Sequence, residues 1–218
     1  MGLAGAVPAL LDRYTLLLWD FDGVIKESIE VKTAAFVRLF APFGAATVTR
    51  VRAHHEQHGG MSRFEKIPLY LQWAGVPPSA QQVQRYCAEF SRAVYAAVIE
   101  SQWVPGVREY LEANRARQRF ALISATPQEE IEGILGALGI RDWFTDICGA
   151  PGAKTDAVRG VLRRWSCAPR AALLIGDSEA DHAAALGAGV DFLLRRTPFN
   201  RALQQRYHGP QCENFLNE

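Results

Sequence analysis

The alternation of short apolar runs with helical patterns constrains the fold of this chain more than any other feature. Runs typical of buried strands lie at 16–19, 120–123, 144–148, 172–175 and 191–194, with helical spacing of apolar residues in the intervening segments. Strands that alternate with helices in this way form a parallel sheet with helices on both faces. The sequence therefore predicts an α/β fold.

A long segment after the first strand carries helical signals only. Ser79 with Gln82 has the spacing of a capping box ahead of a long amphipathic pattern, and Ser62 with Glu65 marks a similar start. We therefore expect an all-helical cap domain at 27–102. It would be inserted into a core domain formed by 1–26 and 103–218.

Acidic and hydroxyl side chains follow the predicted strands at the point where each strand ends. Asp20 and Asp22 follow the first strand, Ser124 follows the second, and Asp177 with Asp181 follow a later one. In open parallel sheets ligands bind outside the carboxyl ends of the strands. Carboxylates gathered there cost free energy unless a cation compensates them, and Mg²⁺ prefers oxygen ligands and a substrate phosphate. The pattern predicts a site for Mg²⁺ and phosphate.

The residue types around this site suit phosphoryl transfer. An ionised Asp20 can attack phosphorus to give an acyl phosphate, while Lys154 and a metal compensate the negative charge. Asp22, two residues on along an extended segment, can serve as general acid and base. Gly23 permits a tight turn whose amides approach phosphate, and Ser124 can hold further phosphoryl oxygens together with the amides of the next helix.

Four motifs of this sequence are together similar to those of a known family. In chain order they are Asp20-Phe21-Asp22-Gly23-Val24, Ser124, Lys154 and Gly176-Asp177-Ser178-Glu179-Ala180-Asp181. The chain resembles the haloacid dehalogenase-like hydrolase superfamily, in the branch of phosphoglycolate phosphatase and β-phosphoglucomutase, whose helical cap is inserted after the first motif. The resemblance covers nearly the whole chain apart from its ends. It implies a Rossmann-like core.

The resemblance also implies roles for individual residues. Asp20 would be the nucleophile and Asp22 the general acid and base. Mg²⁺ would be bound by the Asp20 carboxylate, the Asp22 carbonyl and the Asp177 carboxylate, with Asp181 as a further candidate ligand. Phosphate would be bound by a group of small and basic residues, namely Gly23, Ser124, Ala125 and Lys154. Ala125 stands where relatives often carry an amide side chain, so only its backbone can contribute.

Four basic side chains around the predicted loop at Gly59 and Gly60 are candidates for substrate selection by the cap. They are His54, His55, Arg63 and Lys66. The alternative for each is an ordinary solvated surface charge, as is usual for basic residues on helices.

The first functional hypothesis is a Mg²⁺-dependent phosphatase that hydrolyses a small phosphorylated metabolite, such as a sugar phosphate or a phosphoglycolate-like acid, through an aspartyl-phosphate. Dehalogenases and phosphonate-cleaving members of the family lack the second aspartate, so Asp22 argues against both reactions. A phosphomutase that uses the same two aspartates is the alternative. A catalytically inactive binding module with the same fold is the third hypothesis.

The charge and composition of the chain limit the kinds of partner that the sequence predicts. The formal net charge is +1 and no basic block stands out, so the sequence predicts neither a nucleic-acid partner nor a membrane partner. No apolar run approaches the length needed to span a bilayer, and Met1 to Arg13 lack a basic leader. Four widely spaced cysteines, Cys87, Cys148, Cys167 and Cys212, favour reduced thiols and a cytoplasmic location. The sequence does not decide whether the oligomeric state is a monomer or a homodimer.

Overall fold

The computed structural model describes residues 6–216, and a parallel sheet forms the centre of this part of the chain. Its strands are β1 (Leu16–Trp19), β2 (Arg119–Pro127), β3 (Asp146–Ala150), β4 (Ala172–Gly176), β5 (Asp191–Arg195) and β6 (Gln211–Cys212). They lie in the order β3-β2-β1-β4-β5-β6, and every neighbouring pair is parallel. The predicted α/β fold class is confirmed. Residues 1–5 and 217–218 of the predicted core domain lie outside the described residues.

The central strand β1 explains why the sheet is covered on both faces. All four of its residues are buried. Leu17 and Trp19 belong to the hydrophobic core on one face, whereas Leu16 and Leu18 belong to the core on the other. Because successive side chains of a strand point to opposite faces, a continuous apolar run requires helices on both sides.

Helices from the core segments cover the two faces of the sheet. They are α1 (Ala6–Leu11), α6 (Val107–Asn114), α7 (Gln128–Ala137), α8 (Lys154–Arg164), α9 (Glu179–Ala188) and α10 (Arg201–Arg206). In this arrangement β1 is flanked by β2 and β4, so the residues that follow these three strands meet at one edge. The order of the sheet reverses at the same point, which is where open α/β sheets bind ligands.

The insertion is helical, as the sequence predicts, and the structure divides it into four α-helices. They are α2 (Ile29–Phe40), α3 (Ala45–Gln57), α4 (Arg63–Trp73) and α5 (Ala80–Glu100), and none of residues 27–102 forms a strand of the sheet. The capping box of Ser79 and Gln82 opens α5. An aromatic cluster holds the bundle together, with Phe36 of α2 packed at 4.0 Å between ring centroids against Phe90 of α5.

Two adjacent segments connect the insertion to the sheet. The Glu27 N–H donates to the carbonyl of Gln102 at 2.8 Å, and the Val104 N–H donates to the carbonyl of Ile25 at 3.0 Å. The chain therefore leaves and re-enters the core at one place, close to the predicted boundaries at 27 and 102. Those boundaries stay a prediction.

Some local predictions differ from the structure. Strand β2 extends to Pro127, so Thr126 lies within the strand and Pro127 occupies the N-cap position of α7. In sequence, Thr126, Pro127 and Glu129 have the spacing of the N-cap, N1 and N3 positions of a helix, which predicts an N-cap at Thr126; the structure shows that this prediction is wrong. The short elements β6 and α10 carry too few residues for a clear periodic pattern. Among the described residues, all four cysteines are free, and no helix has the length and apolar character required to cross a bilayer.

Candidate active site

The ends of β1, β2 and β4 bring the sequence-predicted acidic residues together. Asp20 directly follows β1, and its N–H donates to the carbonyl of Ile175 in β4 at 2.9 Å. Asp177 directly follows β4. One carboxylate oxygen each from Asp20, Asp177 and Asp181 lies within 4.8 Å of the other two, and all three residues are buried. Distant segments of the chain thus converge into a single acidic cluster.

Burial and mutual repulsion define the electrostatics of this cluster. Burial, and next the Asp181 carboxylate, raise the pKa of Asp20 to about 7. Burial, and next the Asp20 carboxylate, raise the pKa of Asp177 well above its usual range. Such shifts mean that the ionised carboxylates lack sufficient positive charge nearby. The cluster is therefore suited to a cation.

Lys154 is the one protein cation in direct contact with this cluster among the described residues. Its Nζ lies 3.0 Å from Asp20 Oδ1 and 2.6 Å from Asp181 Oδ1. Burial alone would lower the pKa of Lys154, but the two carboxylates outweigh it and raise the pKa above its ordinary value. Lys154 opens α8, where the helix dipole disfavours a cation, so these ion pairs account for its position.

Asp181 has partners for both of its carboxylate oxygens. Oδ1 accepts from Lys154, and Oδ2 accepts from the backbone N–H of Ser178 at 3.1 Å and from its hydroxyl. Ser178 and Asp181 form a complete capping box at the start of α9. This arrangement fixes Asp181 as the residue that orients Lys154. Its predicted role as a metal ligand stays a prediction.

Asp22 lies beside this cluster and contacts three residues that the sequence argument did not include. Ser28 donates to Oδ1 at 2.6 Å, Thr126 donates to Oδ2 at 3.3 Å, and Lys32 of α2 forms an ion pair with Oδ2. Burial would raise the pKa of Asp22, yet the Lys32 ammonium and these hydrogen bonds outweigh it and lower the pKa below its ordinary value. The insertion thus contributes a cation directly to the candidate acid and base.

Gly23 is required for the turn between Asp22 and the insertion. Its φ is +76°, a conformation that side chains rarely adopt, and a Cβ there would lie 2.5 Å from Asp177 Oδ2. The carbonyl of Gly23 accepts from Arg195 Nη1 at 3.2 Å. In the acidic turn that follows β4, the carbonyl of Asp177 accepts from Asn200 Nδ2 at 2.6 Å. Arg195 and Asn200 therefore hold the two acidic turns in place.

Ser124 and Ala125 lie within the last part of β2, because this strand continues past Ser124, where the sequence predicts its end. The Ser124 hydroxyl is buried and accepts from the Thr126 N–H at 3.1 Å. Ala125 lines a cavity between the core and the insertion, together with Asp20, Asp22 and Asp177. Gly23 and Lys154 adjoin the acidic cluster, and Ala125 lines the cavity that it faces, while Ser124 lies in the adjacent strand. The role of these four residues in binding phosphate stays a prediction.

The cavity is small, about 40 Å³, and its cap wall is cationic. His55, Arg63 and Lys66 all line it, as does Lys32. A wider groove of about 510 Å³ shares the loop around Gly60 and extends past Lys154. The site therefore lies beneath the insertion and has a side that opens towards solvent.

The four predicted cap residues have different surroundings. His54 does not line the cavity: its Nδ1 is 3.0 Å from the Tyr70 hydroxyl and its ring stacks on His58. Arg63 lines the cavity but is paired, with hydrogen bonds of 2.6 and 2.8 Å to the Glu130 carboxylate of α7. Lys66 and His55 also line the cavity; both are buried, and Lys66 Nζ lies 2.8 Å from His55 Nδ1.

The donor set of the acidic cluster fits a divalent cation. It offers carboxylate oxygens only, which is the ligand type of Mg²⁺ and Ca²⁺. Among the described residues, one lysine contacts the cluster and three buried carboxylates form it, so a divalent cation would balance the remaining two negative charges. Asp20 and Asp177 are the best placed to hold it, because Asp181 is already engaged.

Three comparisons with known proteins agree with this geometry. A family model described as haloacid dehalogenase-like hydrolase matches residues 17–194. Phosphoglycolate phosphatase 1 of Pseudomonas aeruginosa is 26% identical over 183 residues, a match that covers 80% of this chain and 66% of that protein.

Two solved structures have the same fold at low sequence identity. CbbY from Rhodobacter sphaeroides, in complex with xylulose-1,5-bisphosphate, has a TM-score of 0.75 and 21% identity, covering 93% of this chain and 95% of its own. β-Phosphoglucomutase from Clostridium difficile also has a TM-score of 0.75, with 19% identity and coverage of 93% and 92%. At such identities the similarity establishes the fold.

Proposed function

The chain belongs to the haloacid dehalogenase-like hydrolase family, and on that premise we propose that it is a Mg²⁺-dependent phosphatase of a small phosphorylated metabolite. The phosphatase named among its relatives supports the reaction class. The observation that carries the proposal is the contact of Asp20 with Lys154 inside a buried acidic cluster that faces a cavity. The substrate would be a sugar phosphate or a phosphoglycolate-like acid, and the enzyme would act in the cytoplasm.

Asp20 is the proposed nucleophile. Its carboxylate oxygen attacks phosphorus, the bond to the leaving alkoxide breaks, and an aspartyl-phosphate forms that water then hydrolyses. Lys154, 3.0 Å from Asp20, compensates negative charge on the nucleophile and on the transferred group. Ser124, the backbone of Ala125 and the turn at Gly23 hold the remaining phosphoryl oxygens.

Asp22 is the proposed general acid and base. It protonates the leaving alkoxide in the first step and accepts a proton from water in the second. Lys32 keeps Asp22 ionised when the two are paired, so proton donation requires that this pair loosen when substrate binds. Since Lys32 belongs to the insertion and Asp22 to the core, the relative position of the two parts controls the acid.

Mg²⁺ would be held by the Asp20 and Asp177 carboxylates and the Asp22 carbonyl. When bound, it would neutralise charge on the nucleophile and on the phosphoryl oxygens. We expect phosphate release to be lost after chelation and restored by Mg²⁺, and calorimetry should detect Mg²⁺ binding to the wild type but not to Asp177→Asn. Equal activity with and without the metal would contradict this assignment.

The decisive test replaces the nucleophile. Asp20→Asn should reduce hydrolysis of p-nitrophenyl phosphate by about 10³-fold or more, because removing a covalent nucleophile costs most of the rate. The exposed Asp142, replaced by Asn, provides a matched control that should keep wild-type activity. Full activity in Asp20→Asn would exclude the mechanism.

A phosphomutase with the same two aspartates is the second candidate. It is favoured by the small volume of the cavity, about 40 Å³, since a substrate that fills it would exclude water and promote transfer of the phosphoryl group to a second hydroxyl. Free phosphate and isomer formation should be measured on one sugar phosphate, with and without a bisphosphate primer. Rapid isomer formation with slow phosphate release would establish the mutase, and the reverse would establish the phosphatase.

A further inference from the structure

The parallel strands begin at one edge of the sheet, opposite the edge that carries the acidic cluster. Leu16 at the start of β1 pairs with Arg119 of β2 and with Ala172 of β4. The Arg119 N–H also donates to the carbonyl of Thr15 at 3.1 Å. The segments that lead into neighbouring strands therefore lie side by side. We call the edge that they form the amino edge; it consists of residues 12–15, 115–119, 141–146, 163–171 and 189–191.

Eight exposed arginines gather at the amino edge. They come from separate segments of the chain, which is why the sequence shows no basic block. The edge contains no lysine and four acidic residues, so it carries an excess of four positive charges, whereas the formal net charge of the whole chain is +1. The arginines are Arg13, Arg115, Arg117, Arg119, Arg141, Arg163, Arg164 and Arg170.

Most of these arginines have no counter-ion among the described residues. Arg117 is paired with Asp12, and Arg164 is paired with Asp146. The other six form no ion pair with a carboxylate in the part of the chain that the structure describes. A guanidinium presents N–H donors in a planar fork that matches a carboxylate, so these six remain able to pair with carboxylates of another molecule.

Two half-buried tryptophans hold two of the arginines in place. The Arg119 guanidinium lies over the Trp165 ring, 4.6 Å from its centroid, and that of Arg115 lies over Trp143 at 5.5 Å. Trp165 is fixed in turn, because its indole N–H donates to Asp146. Stacking restricts the rotamers of a guanidinium, so less side-chain entropy is lost when it binds a partner.

The composition of the amino edge favours an acidic protein over a nucleic acid. Arginine and tryptophan are enriched in protein interfaces, where lysine is depleted. Interfaces with nucleic acid are more strongly positive, and here Asp12 and Asp142 are exposed beside arginines, where they would repel a phosphate backbone. A second copy of this chain, placed on the same edge by two-fold symmetry, would bring arginines against arginines.

We propose that the amino edge is a docking surface for an acidic segment of another protein. A groove of about 400 Å³, lined by Arg159, Arg163 and Cys167, adjoins the edge and gives room for part of that segment. None of the eight arginines lines the cavity of the candidate active site, so the inference goes beyond the proposed phosphatase function. Strands of four or five residues separate the two edges, and a docked partner therefore leaves the cavity accessible.

Fluorescence anisotropy with a labelled oligoglutamate peptide tests the proposal. The wild type should bind the peptide, and added salt should weaken the binding. Replacing Arg119, Arg163 and Arg170 together by Gln should weaken it by about 10-fold, the combined effect of three exposed ion pairs. The matched control removes the same charge from the insertion.

The control variant replaces three exposed arginines, Arg38, Arg85 and Arg92, by Gln and should bind as the wild type does. Thermal unfolding establishes that both triple variants are folded. Arg170→Glu reverses one exposed charge and should weaken binding in the same direction, so it serves as the test if the triple variant does not fold.

Loss of peptide binding in the amino-edge variant alone supports the inference. Absence of binding in the wild type, or equal loss in both triple variants, would overturn it, because equal loss means that net charge alone governs binding. A labelled single-stranded oligothymidylate of equal charge provides the remaining comparison. If it binds as tightly as the peptide or more tightly, the edge is a general polyanion surface and the proposal is refuted.

Discussion

The cavity has a core wall, formed by the core domain, and a cap wall, formed by the insertion. Each wall buries a lysine, Lys154 and Lys66 respectively, but of these two only the lysine of the core wall is paired with carboxylates. Lys154 on the core contacts two carboxylates, which raise its pKa above the ordinary value. Lys66 on the cap contacts the neutral imidazole of His55, and burial, and next the Lys32 charge, lower the pKa of Lys66 to about 7. The core wall therefore supplies counter-charges for its lysine, whereas the cap wall buries Lys66 beside a neutral partner.

Removing the core lysine should have the largest effect. Lys154→Met leaves Asp20 and Asp181 buried without their cation, so the free energy of unfolding should fall by about 3 kcal/mol. The kcat/KM should fall by about 10²- to 10³-fold because charge on the transferred group is no longer compensated. Urea denaturation and phosphate release measure the two effects. Arg163→Met, exposed on the same helix, is the control, and equal stability of the two variants would contradict the charge balance described for the core.

The pair between Arg63 and Glu130 crosses from one wall to the other and should have an intermediate effect. Glu130→Gln leaves the Arg63 guanidinium buried without a counter-ion, which should lower the free energy of unfolding by about 2 kcal/mol. Combining it with Arg63→Met should restore part of that loss, since no isolated charge remains. Denaturant titrations of both single variants and the double variant measure the coupling.

The neighbouring Glu129 is exposed and provides a matched control for this pair. Glu129→Gln should leave the free energy of unfolding within about 0.5 kcal/mol of the wild-type value. If Glu130→Gln behaves in the same way, the ion pair between Arg63 and Glu130 does not stabilise the folded protein.

Removing the cap lysine should have the smallest effect and the opposite sign. Without ligand, Lys66→Met should raise the free energy of unfolding at pH 7 by about 1 to 2 kcal/mol, because a buried charge without a counter-ion is removed. The native pKa of about 7 lies below the unfolded value of 10.5, so between these pH values the unfolded state binds more protons. Wild-type stability relative to Lys66→Met should therefore rise from pH 7 to about 10.

Urea denaturation across this pH range measures the difference between the two proteins. Arg85→Met, which removes an exposed cation of α5, should show the wild-type dependence on pH. A difference in free energy of unfolding between wild type and Lys66→Met that instead stays constant with pH would show that the pKa of Lys66 is not lowered in the folded protein. That result would contradict the difference described between the two walls.

The core wall was largely predictable from sequence. Asp20 and Asp177 follow apolar runs that form adjacent parallel strands, and the geometry of such a sheet leaves little freedom in where strand ends point. The capping box of Ser178 and Asp181 is equally local. Even here one hydroxyl was misassigned: Thr126 suits an N-cap in sequence, but it lies in β2 and donates to Asp22.

The cap wall was predictable only in outline. Its helices follow from local patterns, yet the face that each helix presents to the core depends on how the bundle packs. Lys32 resembles a solvated helix residue in sequence, and nothing local pairs Arg63 with Glu130, 67 residues away. His54 and His55 are neighbours in sequence, but only His55 reaches the cavity. These contacts depend on packing between segments that are distant in sequence, so local patterns do not predict them.

The paired connections at Glu27 and Val104 have a consequence for any opening of the site. Both connections lie side by side, so the insertion is joined to the core at one place. Lys32 and Arg63 of the insertion also contact the core, through ion pairs with Asp22 and Glu130. Under the proposed function, any opening of the site that turns the insertion about this place would break both ion pairs together.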